Sequence, residues 1–202
     1  MMMKIIGLTG PTGAGKTTAL RVLEELGAVI IDCDAVYHDL LENSEDMLAE
    51  LRAEFPEAFE TGAFDRKKLG SIVFASPERL EKLNAITHKY VDREVARIIE
   101  ESRAKGARAV AIDAIALIES GLGAKCDATC AIVAPLRRRV RRLMKREGIS
   151  EEYARSRIAA QKPARWFSRH TDITLRNDAD EETFRALCRS EFEALLSAEQ
   201  IG

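Results

Sequence analysis

The 202-residue sequence contains little of what a metal centre or a disulfide framework requires. Its four cysteines form no Cys-x-x-Cys pair. Cys126 and Cys130 lie four residues apart, but no pair of His or Cys ligands accompanies them as a zinc site would need. We therefore expect reduced thiols, which are typical of cytosolic proteins.

The chain also lacks a long hydrophobic run and an excess of charge of one sign. The longest apolar runs are shorter than a membrane span, and the N-terminus has no secretory pattern, so we expect a cytoplasmic protein without a membrane partner. The net charge of −2 creates no overall field that would favour nucleic acid. The length and the 46% hydrophobic content fit one globular domain, with room for one or two inserted subdomains.

What the sequence does contain is a phosphate-binding loop near its N-terminus. The apolar run 4–9 precedes Gly10-x-x-x-x-Gly15-Lys16-Thr17, and a helical pattern follows from Ala19 to Leu26. Glycines let backbone N–H groups approach phosphate oxygens, and the positive helix end adds to the anion site. We therefore predict a nucleoside-triphosphate site in which Lys16 reaches the β/γ-phosphates and the Thr17 hydroxyl ligates Mg²⁺. The predicted nucleotide-binding residues are Gly13, Ala14, Gly15, Lys16, Thr17 and Thr18.

Acidic residues end two further apolar runs. Asp32 ends the run 28–32 and Asp34 lies two residues later, while Asp113 ends the run 108–113. In open parallel sheets the ligands bind beyond the carboxyl ends of the strands, so these acids are expected near the phosphates. Two alternatives stay open at this point: Asp32 or Asp34 caps the next helix, and Asp113 holds the metal, contacts the acceptor or only ends a strand.

The alternation of apolar runs with helical patterns predicts an α/β fold with a P-loop NTPase core. Five strands are expected to form a parallel, doubly wound sheet. They are predicted at 4–9, 28–32, 108–113, 129–134 and 172–175. The predicted domain division is a nucleotide-binding core (1–36, 108–136 and 171–202), a helical acceptor-binding subdomain (37–107) and a helical lid (137–170).

The segment 137–146 is the most unusual by charge. Seven of its ten residues are basic, while Val140, Leu143 and Met144 recur at helical spacing. A second helix is expected after Ser150, reaching Gln161, so the two form a basic helical hairpin. The hairpin is interpreted as a lid that places guanidinium groups on the phosphoryl group. A nucleic-acid-binding face is the alternative, although aromatic side chains for base stacking are few.

Several motifs follow one another as they do in dephospho-CoA kinases. They are Gly7-Leu-Thr-Gly with the P-loop, Asp32-Cys-Asp34, Asp113-Ala-Ile-Ala-Leu-Ile-Glu119, Arg142-Leu-x-x-Arg146 and Arg157-Ile-x-x-Gln161. The chain resembles this family from Gly7 to Asn177. It departs from the usual motifs at three positions: Cys33 replaces Ala, Lys89 follows His88 where Pro is usual, and Ile115 also replaces a usual Pro.

This resemblance implies that ATP, with Mg²⁺, phosphorylates the ribose 3′-hydroxyl of dephospho-CoA, giving CoA and ADP. Asp34 would accept the hydroxyl proton, and His88 and Asp113 would contact the acceptor. Lys16, Arg142, Arg146 and Arg157 would stabilise the transferring phosphoryl group. The sequence leaves open which lid arginine dominates and whether the protein is a monomer or a small homo-oligomer. A kinase acting on a nucleoside or nucleoside monophosphate is the nearest alternative.

Overall fold

The computed structural model describes residues 2–197 and contains a five-stranded parallel sheet. Residue 1 and residues 198–202, which belong to the predicted core segments 1–36 and 171–202, lie outside the described residues. The strands are β1 Lys4–Thr9, β2 Ala28–Asp32, β3 Ala109–Asp113, β4 Ala128–Val133 and β5 Ile173–Arg176. Their order across the sheet is β2-β3-β1-β4-β5, so β1 lies at the centre. The predicted α/β fold is confirmed, with strand ends within one residue of those expected.

Helices connect the strands within the described part of the chain. They are α1 Lys16–Glu25, α2 Cys33–Asn43, α3 Glu45–Glu54, α4 Arg66–Phe74, α5 Pro77–Ala104, α6 Leu136–Glu147, α7 Glu151–Ala159, α8 Ala164–Arg169 and α9 Glu181–Ser197. Short 3₁₀ helices cover Pro56–Phe59 and Leu122–Lys125. The region 37–105 is helical without a strand, as the sequence predicts.

The two faces of the sheet bury alternate residues of β4. On one face, Cys130 and Ile132 of β4 share a core with α1 and α9. On the other face, Ala131 and Val133 pack against Phe167 of α8. This alternation is the period of two that a strand imposes on its side chains. Because both faces are covered, β4 forms a continuous apolar run from Cys130 to Val133.

The chain divides into two compact units. One contains the residues up to Ile31 together with those from Glu101 onward, and the other spans Asp32–Glu100. The second unit has its own apolar core, in which Met47, Leu51 and Phe55 are fully buried. The division into core, acceptor subdomain 37–107 and lid 137–170 stays a prediction.

The predicted basic hairpin consists of α6 and α7. Val140 and Leu143 of α6 pack against Ala154 and Ile158 of α7. Gly148 ends α6 in the left-handed conformation at φ +66°, which glycine adopts without steric cost. The Ser150 hydroxyl then accepts a hydrogen bond from the Tyr153 amide and caps α7. Local signals therefore set both the turn and the start of the second helix.

Two expectations from composition can be compared with the described residues. Among the helices of residues 2–197, none combines the length and apolarity that a membrane span requires. The four cysteines are free thiols, and burial is the main cause that raises the pKa of Cys126, Cys130 and Cys188 to about 12. Cys126, Cys130 and Cys188 are therefore neutral thiols at pH 7.

Candidate active site

The P-loop joins β1 to α1, and its glycines are required by both conformation and space. Gly10, Gly13 and Gly15 have φ values of +137°, +74° and +111°. A Cβ on Gly10 would lie 2.2 Å from the Ile132 carbonyl oxygen, and one on Gly15 would lie 2.2 Å from Asn177 Nδ2. The loop is thus packed so closely against β4 and β5 that a side chain at either position would displace its neighbours.

The loop presents several backbone N–H groups at the start of α1. The Ala14 amide donates to the Pro11 carbonyl at 3.2 Å, and the Thr18 amide donates to Gly15 at 3.1 Å. In the described part of the chain, the amides of Gly13, Gly15, Lys16 and Thr17 donate to no backbone carbonyl. The first amides of a helix have no intrahelical partner, so these groups form an anion site.

Lys16 lies beside Asp113, and the sheet topology brings them together. β1 pairs with β3 in a register that places Leu8 opposite Asp113, so the P-loop begins where β3 ends. Lys16 Nζ is 2.8 Å from Asp113 Oδ1, and the two side chains are only 16% and 18% exposed. Two of the predicted site residues therefore share one ion pair at the carboxyl edge of the sheet.

Arg142 and Asn177 hold the loop from the other side. Arg142 Nη1 donates to the carbonyls of Ala14 at 2.9 Å and Gly13 at 3.2 Å. Its Nη2 donates to Asn177 Oδ1 at 2.9 Å, and Asn177 Nδ2 donates to the same Ala14 carbonyl at 2.9 Å. Burial, with a smaller contribution from Arg138, lowers the pKa of the Arg142 guanidinium. Arg142, predicted as a lid residue, thus lies directly against the P-loop.

Arg139 and Gln161 fix the loop at Thr12. The Gln161 side-chain oxygen accepts from the Thr12 amide at 2.9 Å, and Arg139 Nε donates to the Thr12 carbonyl at 2.8 Å. Arg139 is only 5% exposed, and burial lowers the pKa of its guanidinium. Both backbone groups of Thr12, its N–H and its C=O, are therefore held by side chains.

Arg139, Gln161 and Asn177 were not assigned to the site from the sequence. Gln161 belongs to the Arg-Ile-x-x-Gln motif, and Asn177 directly follows β5 at the ligand-binding edge, so both carried a usable signal. The sequence contains no signal that singles out Arg139, since most of its neighbours in the segment 137–146 carry the same charge. The rotation of α6 about its axis decides which arginines reach the loop.

Arg146 and Arg157, the other two predicted lid residues, lie together at Glu147. Arg146 Nη2 is 2.6 Å from Glu147 Oε1, and Arg157 Nη1 contacts Glu147 Oε2. Their side chains are 59% and 38% exposed. Such exposed pairs contribute little to stability, so both cations can exchange partners at low cost. Their catalytic roles stay predictions.

Asp34 and His88 belong to the unit Asp32–Glu100. Asp32 caps α2, because its Oδ1 accepts from the amides of Asp34 at 2.9 Å and Ala35 at 3.0 Å. The capping alternative thus applies to Asp32. The Asp34 side chain is exposed in the first turn of α2, and His88 lies on α5.

Comparisons with known proteins identify the family. The family model described as dephospho-CoA kinase matches residues 4–182. The dephospho-CoA kinase of Dehalococcoides mccartyi is 37% identical over 190 residues, which cover 91% of this chain and 93% of that protein. The chain belongs to the dephospho-CoA kinase family.

Two solved structures have a similar fold. The crystal structure of TT1252 from Thermus thermophilus matches with a TM-score of 0.79 and 35% identity, covering 98% of this chain and 100% of that one. The dephospho-CoA kinase from Campylobacter jejuni is similar in fold, with a TM-score of 0.68 at 24% identity over 96% and 98% of the two chains.

The P-loop and the end of β3 offer groups suited to a nucleotide and its metal ion. Kinases of this family use ATP, and the loop offers amides and one lysine for its phosphates. Thr17, exposed at the start of α1, and Asp113, at the end of β3, supply the oxygen donors that Mg²⁺ prefers. Mg²⁺ usually retains several waters and binds substrate phosphates, so two protein oxygens fit its requirements.

Proposed function

We propose that this kinase transfers the γ-phosphoryl group of ATP to the ribose 3′-hydroxyl of dephospho-CoA, giving CoA and ADP in the last step of CoA biosynthesis. The observation that carries the proposal is the family match over residues 4–182, which includes the P-loop and both helices of the basic hairpin. A nucleoside or nucleoside-monophosphate acceptor finds no support among the relatives named above.

On the donor side, Lys16 binds the β/γ-phosphates and the free loop amides surround them. The ion pair with Asp113 at 2.8 Å positions the Lys16 ammonium group beside the strand end. Thr17 would hold Mg²⁺, and Asp113 would serve either the metal or the acceptor. When bound, Mg²⁺ neutralises charge on the β- and γ-phosphate oxygens.

On the acceptor side, the Asp34 carboxylate accepts the proton of the 3′-hydroxyl. The hydroxyl oxygen forms a bond to the γ-phosphorus while the bond between the γ-phosphorus and the bridging oxygen of the β-phosphate breaks. The proton therefore moves to Asp34 and the leaving group is ADP. Because a ribose hydroxyl is a weak nucleophile, orientation by a carboxylate is the main contribution expected of this residue. His88 would bind the acceptor.

The arginines of the hairpin stabilise the transferring group. A guanidinium group has five N–H donors, and three of those of Arg142 donate to Gly13, Ala14 and Asn177. Two N–H groups are left for a phosphate. Arg146 and Arg157 would leave Glu147 for the phosphoryl group, as exposed pairs allow. In this proposal the segment 137–170, which contains most of the hairpin, is a lid over the core, and 37–107 binds dephospho-CoA. We also propose a cytoplasmic protein that binds no nucleic acid and forms a monomer or small homo-oligomer.

The proposal is tested by measuring ADP formation with ATP, Mg²⁺ and a panel of acceptors. Dephospho-CoA is expected to give turnover at least a hundredfold above adenosine, shikimate and nucleoside monophosphates. Lys16→Ala, assayed in parallel, should lose both nucleotide affinity and turnover. Higher kcat/KM with a nucleoside monophosphate than with dephospho-CoA would overturn the proposal.

The role of Asp34 is tested separately. Asp34→Ala should lower kcat by about 10²-fold or more while changing the affinity for ATP less than about threefold, because the carboxylate acts in the transition state. Asp39→Ala, another exposed acid on α2, is the matched control and should keep normal kcat. Normal turnover by Asp34→Ala on dephospho-CoA would remove this residue from the mechanism.

A further inference from the structure

A second cleft with a basic lining lies beside α8, at the carboxyl ends of β4 and β5. Its volume is about 470 Å³, within the range of small-molecule sites. Its apolar wall consists of Val133, Ala134 and Pro135, the end of β4 and the residues that follow it. None of the P-loop residues lines this cleft, and neither do Arg139, Arg142, Gln161 or Asn177.

Three arginines and one hydroxyl provide the polar lining. Arg165, Ser168 and Arg169 come from α8, and Arg176 comes from the end of β5. Arg176 Nε is 3.6 Å from Asp178 Oδ2. Among residues 2–197, neither Arg165 nor Arg169 makes an ion pair, so two cations of this lining lack a counter-charge.

The net charge of the cleft indicates which kind of ligand it binds. Three guanidinium charges less the carboxylate of Asp178 leave a formal charge of about +2. A cleft lined by one sign of charge concentrates its field and attracts the opposite ion. Guanidinium groups bind phosphate through paired N–H donors, and the Ser168 hydroxyl adds another donor. We infer that this cleft, defined by Arg165, Arg169 and Arg176, binds a small molecule carrying a phosphate monoester or a pyrophosphate group.

Each wall of the cleft continues directly into a residue that holds the P-loop. Pro135 precedes α6, which carries Arg139 four residues later. Ala164 begins α8 three residues after Gln161, and Arg176 is followed immediately by Asn177. Gln161 and Arg139 bind Thr12, while Asn177 binds Ala14. A ligand that orders these walls therefore also orders the supports of the loop, and it should tighten nucleotide binding there.

The site is tested by calorimetric titration of the full chain with pyrophosphate while ADP saturates the P-loop. The intact protein should bind one pyrophosphate. The variant Arg165→Gln/Arg169→Gln/Arg176→Gln should bind it at least tenfold more weakly. Arg21→Gln/Arg108→Gln/Lys125→Gln, which removes three exposed cations elsewhere, is the control and should bind like the intact protein. Both variants should unfold at urea concentrations close to that of the intact protein, which shows that each is folded.

Coupling is tested by the affinity for ADP with and without pyrophosphate. Pyrophosphate also competes with ADP at the P-loop, and it does so equally in the intact protein and in the cleft variant. The difference in ADP affinity between these two proteins therefore reports on the cleft alone. We expect ADP to bind at least twofold more tightly to the pyrophosphate-loaded intact protein than to the cleft variant under the same conditions. Absence of pyrophosphate binding, or equal binding by cleft and control variants, overturns the site. Equal ADP affinities overturn the coupling. Neither result depends on the acceptor, so failure here is distinct from failure of the proposed kinase activity.

Discussion

Replacing Asn177 by Ala should destabilise the protein and weaken nucleotide binding at the same time. Asn177 is only 3% exposed, and its amide bridges Arg142 and the Ala14 carbonyl with two hydrogen bonds of 2.9 Å. In the variant the Ala14 carbonyl still accepts a hydrogen bond from Arg142 Nη1, so losing the bond from Asn177 costs little stability at this carbonyl. Arg142 Nη2, however, loses the acceptor that the structure gives it, and this is the costlier consequence.

The magnitude can be estimated from these contacts. A neutral hydrogen bond contributes about 1 kcal/mol, and one to a charged group contributes about 1.5–3 kcal/mol. The expected loss in the free energy of unfolding is therefore about 2–4 kcal/mol. Urea unfolding measures it, and calorimetry with ADP measures the accompanying loss of affinity.

Asn43→Ala is the matched control for this change. Asn43 is exposed and makes one hydrogen bond, from its Nδ2 to Asp39 Oδ1 at 2.8 Å. Surface substitutions of this kind usually change stability by no more than about 0.5 kcal/mol. If Asn177→Ala and Asn43→Ala shift the urea midpoint equally and both bind ADP normally, the interpretation of Asn177 as a support of the loop is refuted.

Three further predictions concern the loop, the sheet edge and the thiols. Gly15→Ala should cost more stability and ADP affinity than Gly62→Ala in urea and calorimetric titrations, because both have positive φ but only Gly15 also has a neighbour 2.2 Å from the added Cβ; equal losses would contradict this. Asp172 accepts from the Thr129 hydroxyl at 2.6 Å and amide at 2.7 Å, and these bonds hold its pKa below the ordinary 3.8. A carboxyl group whose pKa is lower in the folded state stabilises the fold at pH values above its ordinary pKa, and this stabilisation is lost as the pH falls through the folded pKa. Asp172→Asn should therefore lower the free energy of unfolding by about 1 kcal/mol at pH 7 and by less near pH 3, as measured in urea titrations. A loss that does not depend on pH would contradict this. Cys130 and Cys188, with pKa values raised to about 12 mainly by burial, should react with a thiol reagent at neutral pH at least about a hundredfold more slowly in the native protein than in urea, and fast native modification would exclude their burial.

The fold could be predicted from the sequence because its signals are local. The first four strands are mostly apolar runs with a clear end, and Gly148 and Ser150 mark the hairpin turn. The P-loop was equally readable, since the glycines and Lys16 occur at fixed spacing between a strand and a helix. The pairing of Lys16 with Asp113 also follows the general rule that parallel strands end at one edge.

The supports of the loop could be predicted only in part, because they depend on tertiary geometry. Arg139 and Arg142 reach the loop, while Arg146 contacts Glu147. Charge alone does not distinguish these residues, and the register of α6 against the sheet decides. The sequence also could not decide whether Asp32 or Asp34 caps α2, since only the hydrogen bonds to the backbone show that Asp32 is the cap.

The most direct test of the proposed function is the position of the phosphate on the product. The protein should be incubated with dephospho-CoA, ATP and Mg²⁺, and the product analysed by phosphorus NMR and mass spectrometry. We predict one new phosphate, on the ribose 3′-oxygen, formed together with one ADP. ADP release without phosphorylation of dephospho-CoA, or a phosphate on any other atom, would contradict the account.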